Sequence, residues 1–216
     1  IDADPQGNAS TGLGILNNNR TPSLYDLLTK GEFDKAALKK TSIPNLDIIT
    51  STQDLAASEI ELAEIENREE RLKNILNKIY GYDYFFIDCP PALGLLTING
   101  LVAANSVIVP LQCEFFALEG LSSLTKTIES IKQNFNPDLE IEGVVLTMHD
   151  KRNLLSELVE NDVRDVFGDK VYKTIIPRNV RISEAPSHGK PVLIYDTSCA
   201  GSVAYIGLAK EVIFNQ

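Results

Sequence analysis

The sequence predicts an α/β fold, a doubly wound, mainly parallel sheet with helices on both faces. Three observations carry that expectation. Apolar runs of strand length alternate with amphipathic helical stretches from end to end, the pattern of successive βα units. The run Tyr84-Phe85-Phe86-Ile87 leads without alternation into Asp88, as in a parallel strand buried on both faces. Three expected strands stop on proline near their carboxyl ends, at Asp4-Pro5, Asp88-Cys89-Pro90 and Ile176-Pro177. Their loops are expected to share one rim, where open α/β sheets place their ligands.

Taken in order, Ile1 to Asp4 reads as the end of a strand, and the small polar segment Gln6 to Gly12 as a loop or capped helix start. Ser23 is expected to cap a short helix carrying Leu24, Leu27 and Leu28, which Gly31 ends. A second short helix is expected over Glu32–Lys40, and a strand over Leu46–Thr50. The acidic stretch Ser58–Glu70 reads as a solvated helix face. Leu72, Ile75, Leu76 and Ile79 recur at helical spacing, with Gly81 closing that helix before the Tyr84 strand. Further on, the expected helices are Leu95–Ala104, Phe115 to about Gln133, Leu154–Phe167 and Ser202–Phe214. The expected strands are Ser106–Leu111, Glu142–Met148 and Tyr172–Ile176, with a short extended piece at Val192–Tyr195.

Composition bounds the function. The 216 residues suit a single domain over 1–216, and 44% hydrophobic against 23% charged residues can bury a core. A net charge of −10 excludes a general nucleic-acid binder unless a local basic patch exists. The three cysteines, Cys89, Cys113 and Cys199, lack C-x-x-C spacing, which argues against a disulfide scaffold and a metal cluster. The most apolar window, Leu95 to Leu111, contains Asn99, Asn105, Ser106 and Pro110, and splits into a helix and a strand better than it makes a membrane span.

Several residues carry candidate chemistry. A carboxylate at Asp88, at a strand end, suits a metal ion that holds a phosphate; the alternative is an ordinary strand-end cap. Asp2 and Asp4, two apart, would project to one side and need a cation, water or donors, or else form an Asx-type turn. Between Pro177 and Val192 the only acid is Glu184, against Arg178, Arg181 and Lys190. That is either a basic island fit for phosphate contact or ordinary surface charge.

Four segments together are recognisable: Asp2-x-Asp4-Pro5-Gln6-Gly7-Asn8, Asp88-Cys89-Pro90-Pro91, the run from Pro110 to Gly120, and the run from Ile176 to Pro191. In this order they resemble the ParA/Soj chromosome-partitioning ATPases, of the deviant Walker-A group of P-loop proteins, over nearly the whole chain. The resemblance implies a P-loop NTPase-type fold and an ATPase that uses ATP and Mg²⁺. It implies a homodimer formed with ATP, bound to nonspecific double-stranded DNA, with hydrolysis stimulated by a ParB/Spo0J-type centromere-binding protein. It implies a cytoplasmic, nucleoid-associated protein without stable membrane insertion. By motif, Asp4 would position the attacking water, Asp88 would hold Mg²⁺ through water, and Pro177 and Asn179 would contact the adenine. Arg181 and Lys190, with Arg152, would contribute to the DNA-contacting surface.

Two features depart from that pattern. The family's first strand and its K-G-G-x-G-K-T phosphate loop do not occur in this sequence, which opens on Ile1. An N-terminally truncated fragment is therefore expected, inactive by itself and open at a central sheet edge. After Asp196, where the family continues with proline and arginines, Thr197-Ser198-Cys199-Ala200 is uncharged, so DNA contact would be weaker or use other lysines. The competing readings are a MinD-like membrane-associated division-site ATPase, an amidoligase or iron–sulfur reductase relative, and a noncatalytic remnant. The first calls for a basic amphipathic terminal helix, whereas Leu208 to Gln216 carries one lysine.

Overall fold

The structure, a computed structural model, describes residues 1–214. Asn215 and Gln216, the last two residues of the terminal segment weighed above, lie outside them. The first half comprises α1 (Asn8–Gly12), α2 (Leu24–Lys30), β1 (Leu38–Lys40), β2 (Asp47–Ile49), α3 (Ser58–Glu61), α4 (Arg71–Leu76) and α5 (Leu95–Ala103). The second comprises β3 (Ser106–Gln112), α6 (Ala117–Asn134), β4 (Glu140–Thr147), α7 (Leu154–Phe167), α8 (Val180–Glu184), α9 (Val192–Tyr195) and α10 (Ala200–Phe214).

β3 and β4 form a parallel ladder, and helices cover both of its faces. Alternate residues of β4 explain how. Val144 and Leu146 point into a cluster with Leu121 of α6 and Val159 and Val163 of α7. Val145 points the other way, toward Tyr172, Ile176 and the α10 residues Ala204, Leu208 and Val212. A strand with both faces covered has no polar side to alternate, hence the unbroken apolar run. The first half packs a separate cluster in which Leu24, Leu27, Leu28, Leu55, Leu62, Leu72 and Ile75 are nearly inaccessible. Each such leucine contributes about 1.5–3 kcal/mol relative to an exposed one.

Helix ends follow local chemistry. Ser23 precedes α2, where its backbone N–H donates to Asp26 Oδ2 at 2.7 Å while its hydroxyl donates to the same oxygen at 3.1 Å. Asn153 Oδ1 accepts from Leu155 N at 3.1 Å and starts α7, which runs over the expected Leu154–Phe167.

Beside the ladders lie single parallel bridges. Asp2 pairs with Asp88, Val144 with Val171, and His149 with Pro177. Asp2 N also donates to Ile49 O, so the Ile1–Ala3 segment lies between β2 and the segment ending at Asp88.

Several expectations are corrected. Residues 84–87 are not a doubly buried strand. Their end meets Ile1–Ala3 through Phe86 O and Asp88, and Phe86 is 67% exposed. The aromatic rings meet one another instead, Tyr82 against Phe85 and Tyr84 against Phe86. Tyr172–Ile176 is likewise no regular strand, although Tyr172 N and Ile176 N donate to Val144 O and Leu146 O. The helix expected over Glu32–Lys40 is a short 3₁₀ turn followed by β1, which pairs antiparallel with β2. The acidic stretch 58–70 is broken into α3 and a 3₁₀ turn, because burying Leu62 and turning at Asn67, with φ of 53°, interrupts a helix. Val192–Tyr195 is helical: Pro191 O accepts from both Ile194 N and Tyr195 N, and this local turn prevails over β-branched propensity.

One contact joins the loops that follow Asp4 and Pro177. Gly14 (φ 80°) and Gly189 (φ 60°) lie back to back; a Cβ on Gly14 would stand 2.9 Å from Gly189 O, and one on Gly189 2.9 Å from Gly14 Cα. Both positions need the left-handed region and neither has room for a side chain.

Candidate functional site

The first part of the site is built on two adjacent chain segments. The Asp2–Asp88 bridge sets the two segments side by side, with Ala3 N donating to Asp88 O and Asp88 N to Ile1 O, both at 2.9 Å. The extended segment ends at Ala3, and Asp2 Oδ1 accepts from Asp4 N at 3.4 Å across the start of the following turn. Asp2 is fully buried and accepts from Ser10 N at 2.7 Å and Ser10 Oγ at 2.6 Å. Asp4 is half-buried in the following turn, its Oδ1 accepting from Gln6 N at 2.9 Å. That Asx-type contact orients the carboxylate while Gly7 N closes the turn onto Asp4 O.

Asp88 reaches solvent. Partial desolvation, then the negative charges of Asp2 and Asp4, push its carboxyl above the usual range. A hard carboxylate crowded by like charges suits a divalent cation, which would relieve the repulsion. Among the described residues no three acidic, histidine or cysteine side chains converge on one cation position, so Asp88 would act with water and ligand oxygens. The cysteines are free, and desolvation pushes the Cys89 and Cys113 thiols up to about 11, with Asp88 and Glu160 adding to it.

The second part is the segment after Pro177. It is fixed to the end of β4: His149 N donates to Ile176 O and Arg178 N to His149 O. Asn179 Oδ1 accepts from Arg181 N at 2.9 Å and caps α8. The expected basic island is partly neutralised. Arg181 Nη1 donates to Glu184 Oε2 at 2.8 Å, and its Nε stands 3.5 Å from Asp196 Oδ2. Arg181, Asp196, Ile194, Tyr195 and Thr197 line an open depression there. Hydrogen bonds from Ser198 Oγ, then from the Ser198 and Cys199 N–H groups, and the charge of Arg181 hold the Asp196 carboxyl low. Arg152 forms a bidentate pair with Asp150, at 3.0 and 2.8 Å, in the exposed β4–α7 turn. Lys190 is exposed, and among the described residues it makes no ion pair.

The Gly14–Gly189 contact brings the two parts together. Sequence reasoning missed Asp2 as an organiser, together with Ser10, Arg20 and Asp196, the second acid facing Arg181. The only written signal was the D-x-D spacing; nothing in Asn17-Asn18-Asn19-Arg20 announces a buried arginine.

A sequence family described as an AAA domain matches residues 1–141. The chromosome partitioning protein ParA of Caulobacter vibrioides (strain NA1000 / CB15N) is 57% identical over 216 residues, covering 99% of this chain and 81% of that protein. The chromosome-partitioning ATPase Soj of Treponema pallidum (strain Nichols) is 47% identical over 214 residues, 99% of this chain and 83% of that protein. Among solved structures, a cobyrinic acid a,c-diamide synthase from Mycobacterium smegmatis, with bound ADP and magnesium, superposes with a TM-score of 0.83. It is 35% identical, over 98% of this chain and 79% of that one.

Proposed function

Because this chain belongs to the ParA/Soj family of chromosome-partitioning ATPases, we propose that residues 1–216 belong to one ATPase domain, and that the protein turns over Mg²⁺-ATP to control a DNA-bound homodimer. The observation that carries the reading is the Asp2–Asp88 bridge, which sets the oriented Asp4 carboxylate beside a cation-suited one. Phosphoryl transfer calls for positioning and charge neutralisation more than for covalent chemistry. Asp4 orients the attacking water. Asp88 would hold Mg²⁺, which when bound supplies neutralisation of the phosphate charge. Pro177 packs on the adenine, and Asn179, its carbonyl committed to capping α8, offers its amide N–H groups to ring nitrogens.

Arg181 and Lys190, with Arg152 at the margin, contact DNA phosphates without reading sequence. A ParB/Spo0J-type protein stimulates hydrolysis. Among the described residues no helix is long and apolar enough to cross a membrane, which suits action in the cytoplasm at the nucleoid. The diamide-synthase name belongs to a structure 35% identical, whereas the partitioning relatives reach 57% and 47% over nearly the whole chain.

Asp4→Ala in the full-length gene product tests this. ATP-dependent dimers are expected to persist on DNA while kcat falls by on the order of 10²–10⁴. Normal turnover in that variant would remove the role of Asp4.

A further inference from the structure

Arg20 is 6% exposed, and all its side-chain contacts are to neutral acceptors: Nε to Ile15 O at 3.1 Å, Nη1 to Ser51 O at 3.3 Å and Nη2 to Thr11 Oγ1 at 2.8 Å. A buried guanidinium ordinarily faces a carboxylate, since desolvating it is costly. Here, among the described residues, no carboxylate lies within ion-pair distance. The rigid fork of donors ties together three acceptors from separate parts of the chain, a span that a single point donor would not make.

What it fixes is the loop after Asp4. Thr11 Oγ1, which accepts from Arg20, donates onward to Gly7 O at 3.0 Å, and Gly7 N donates to Asp4 O at 2.9 Å. Arg20 Nη1 occupies the space that a Cβ on Gly7 would need, and Gly7 stands at φ 66°. Ser51 O ties the same guanidinium to the end of the β2 segment, while Ser51 N donates to Ser10 Oγ, itself bonded to Asp2. The turn bearing Asp4 is thus held from one side by a buried carboxylate and from the other by a buried cation.

We propose that Arg20 is a positioning residue for hydrolysis: its guanidinium, acting through Thr11 and Gly7, fixes the Asp4 turn in the geometry that orients the attacking water. The proposal rests on the role of Asp4 given above. A lysine keeps the charge but supplies one point donor in place of a fork. A displacement of about 1 Å at a positioning group can cost about a hundredfold in rate.

The test uses partner-stimulated ATPase kinetics of the full-length gene product. Arg20→Lys is expected to lower kcat by about tenfold or more with KM for ATP within about twofold, at a temperature where circular dichroism shows the variant folded. Thr11→Val, which removes the hydroxyl link and keeps the shape, is expected to lower kcat in the same direction with KM unchanged. Wild-type kcat in folded Arg20→Lys overturns the proposal, as does wild-type kcat in Thr11→Val. Loss that merely tracks the unfolded fraction also overturns it and leaves Arg20 a stability residue. Asp4→Ala, assayed alongside, separates the two claims. If Asp4→Ala is inactive and Arg20→Lys normal, only the role of Arg20 falls. If Asp4→Ala turns over normally, the functional reading falls and takes the role of Arg20 with it.

Discussion

The turn bearing Asp4 and the segment bearing Arg181 use the same residue types in opposite ways. Around Asp4, the charges that hold the turn are sealed in: Asp2 is fully buried and Arg20 nearly so, each satisfied by hydroxyls and backbone groups. Around Arg181, the charges pair with one another at the surface, Arg181 being 53% and Arg152 89% exposed. Buried polar groups specify a geometry because leaving any one unpartnered is costly. Surface ion pairs hold little energy, so their members can exchange one anion for another. One region is built to stay fixed, the other to trade partners.

The comparison breaks first, if at all, at Asp2. Asp2→Ala leaves Ser10 N and Oγ without their acceptor and should destabilise by about 3–5 kcal/mol, measured by urea unfolding. A loss below about 1 kcal/mol would mean the network is no more specific than a surface pair. Next in size, Arg181→Glu should weaken nonspecific DNA binding by about tenfold or more and flatten its salt dependence by about one charge, with ATP affinity unchanged. Unaltered DNA affinity would remove the segment from the interface.

A subtler effect is expected at Asp88. Its folded carboxyl sits above its unfolded value, so its ionised form opposes folding at neutral pH, and the penalty lifts as pH falls through the folded value. Asp88→Asn should therefore raise the Tm of the protein held free of Mg²⁺ and nucleotide at about pH 7–8, with a smaller gain near pH 4. An equal gain at both pH values would assign the effect to shape and not to charge. Smallest is Arg152→Ala: two hydrogen bonds tie its guanidinium to Asp150, against one from Arg181 to Glu184, so it is the less free to exchange partners, and DNA affinity should change by less than about twofold.

How far these regions could be read from sequence follows the same divide. Strong periodicity with chemical end signals was legible: α7 runs from the Asn153 cap to Gly168, and β4 keeps the apolar run of a strand covered on both faces. The aromatic run at 84–87 was misread because apolar character does not reveal what covers it, and here Ile1–Ala3 pairs with its end while Phe86 stays 67% exposed. Asp4, Asp88 and Asn179 stood out through motifs that keep chain order. Arg20 could not, because its role depends on a fold that brings it against Gly7, thirteen positions earlier in the chain. Nor did the basic composition of 177–190 reveal that Asp196, outside the segment, turns back onto Arg181.

The back-to-back contact of Gly14 and Gly189 has a consequence for how the two loops can diverge. Each residue fills the space the other lacks, so a side chain at either position pushes the same pair of backbones apart. Once one has been replaced and the loops have parted, replacing the second should add little beyond its own left-handed strain. The positions are therefore expected to show strong epistasis: alanine at both should cost less than the sum of the two single changes. Variation in one loop is then constrained by the identity of a residue 175 positions away, and the two loops can drift only as a pair.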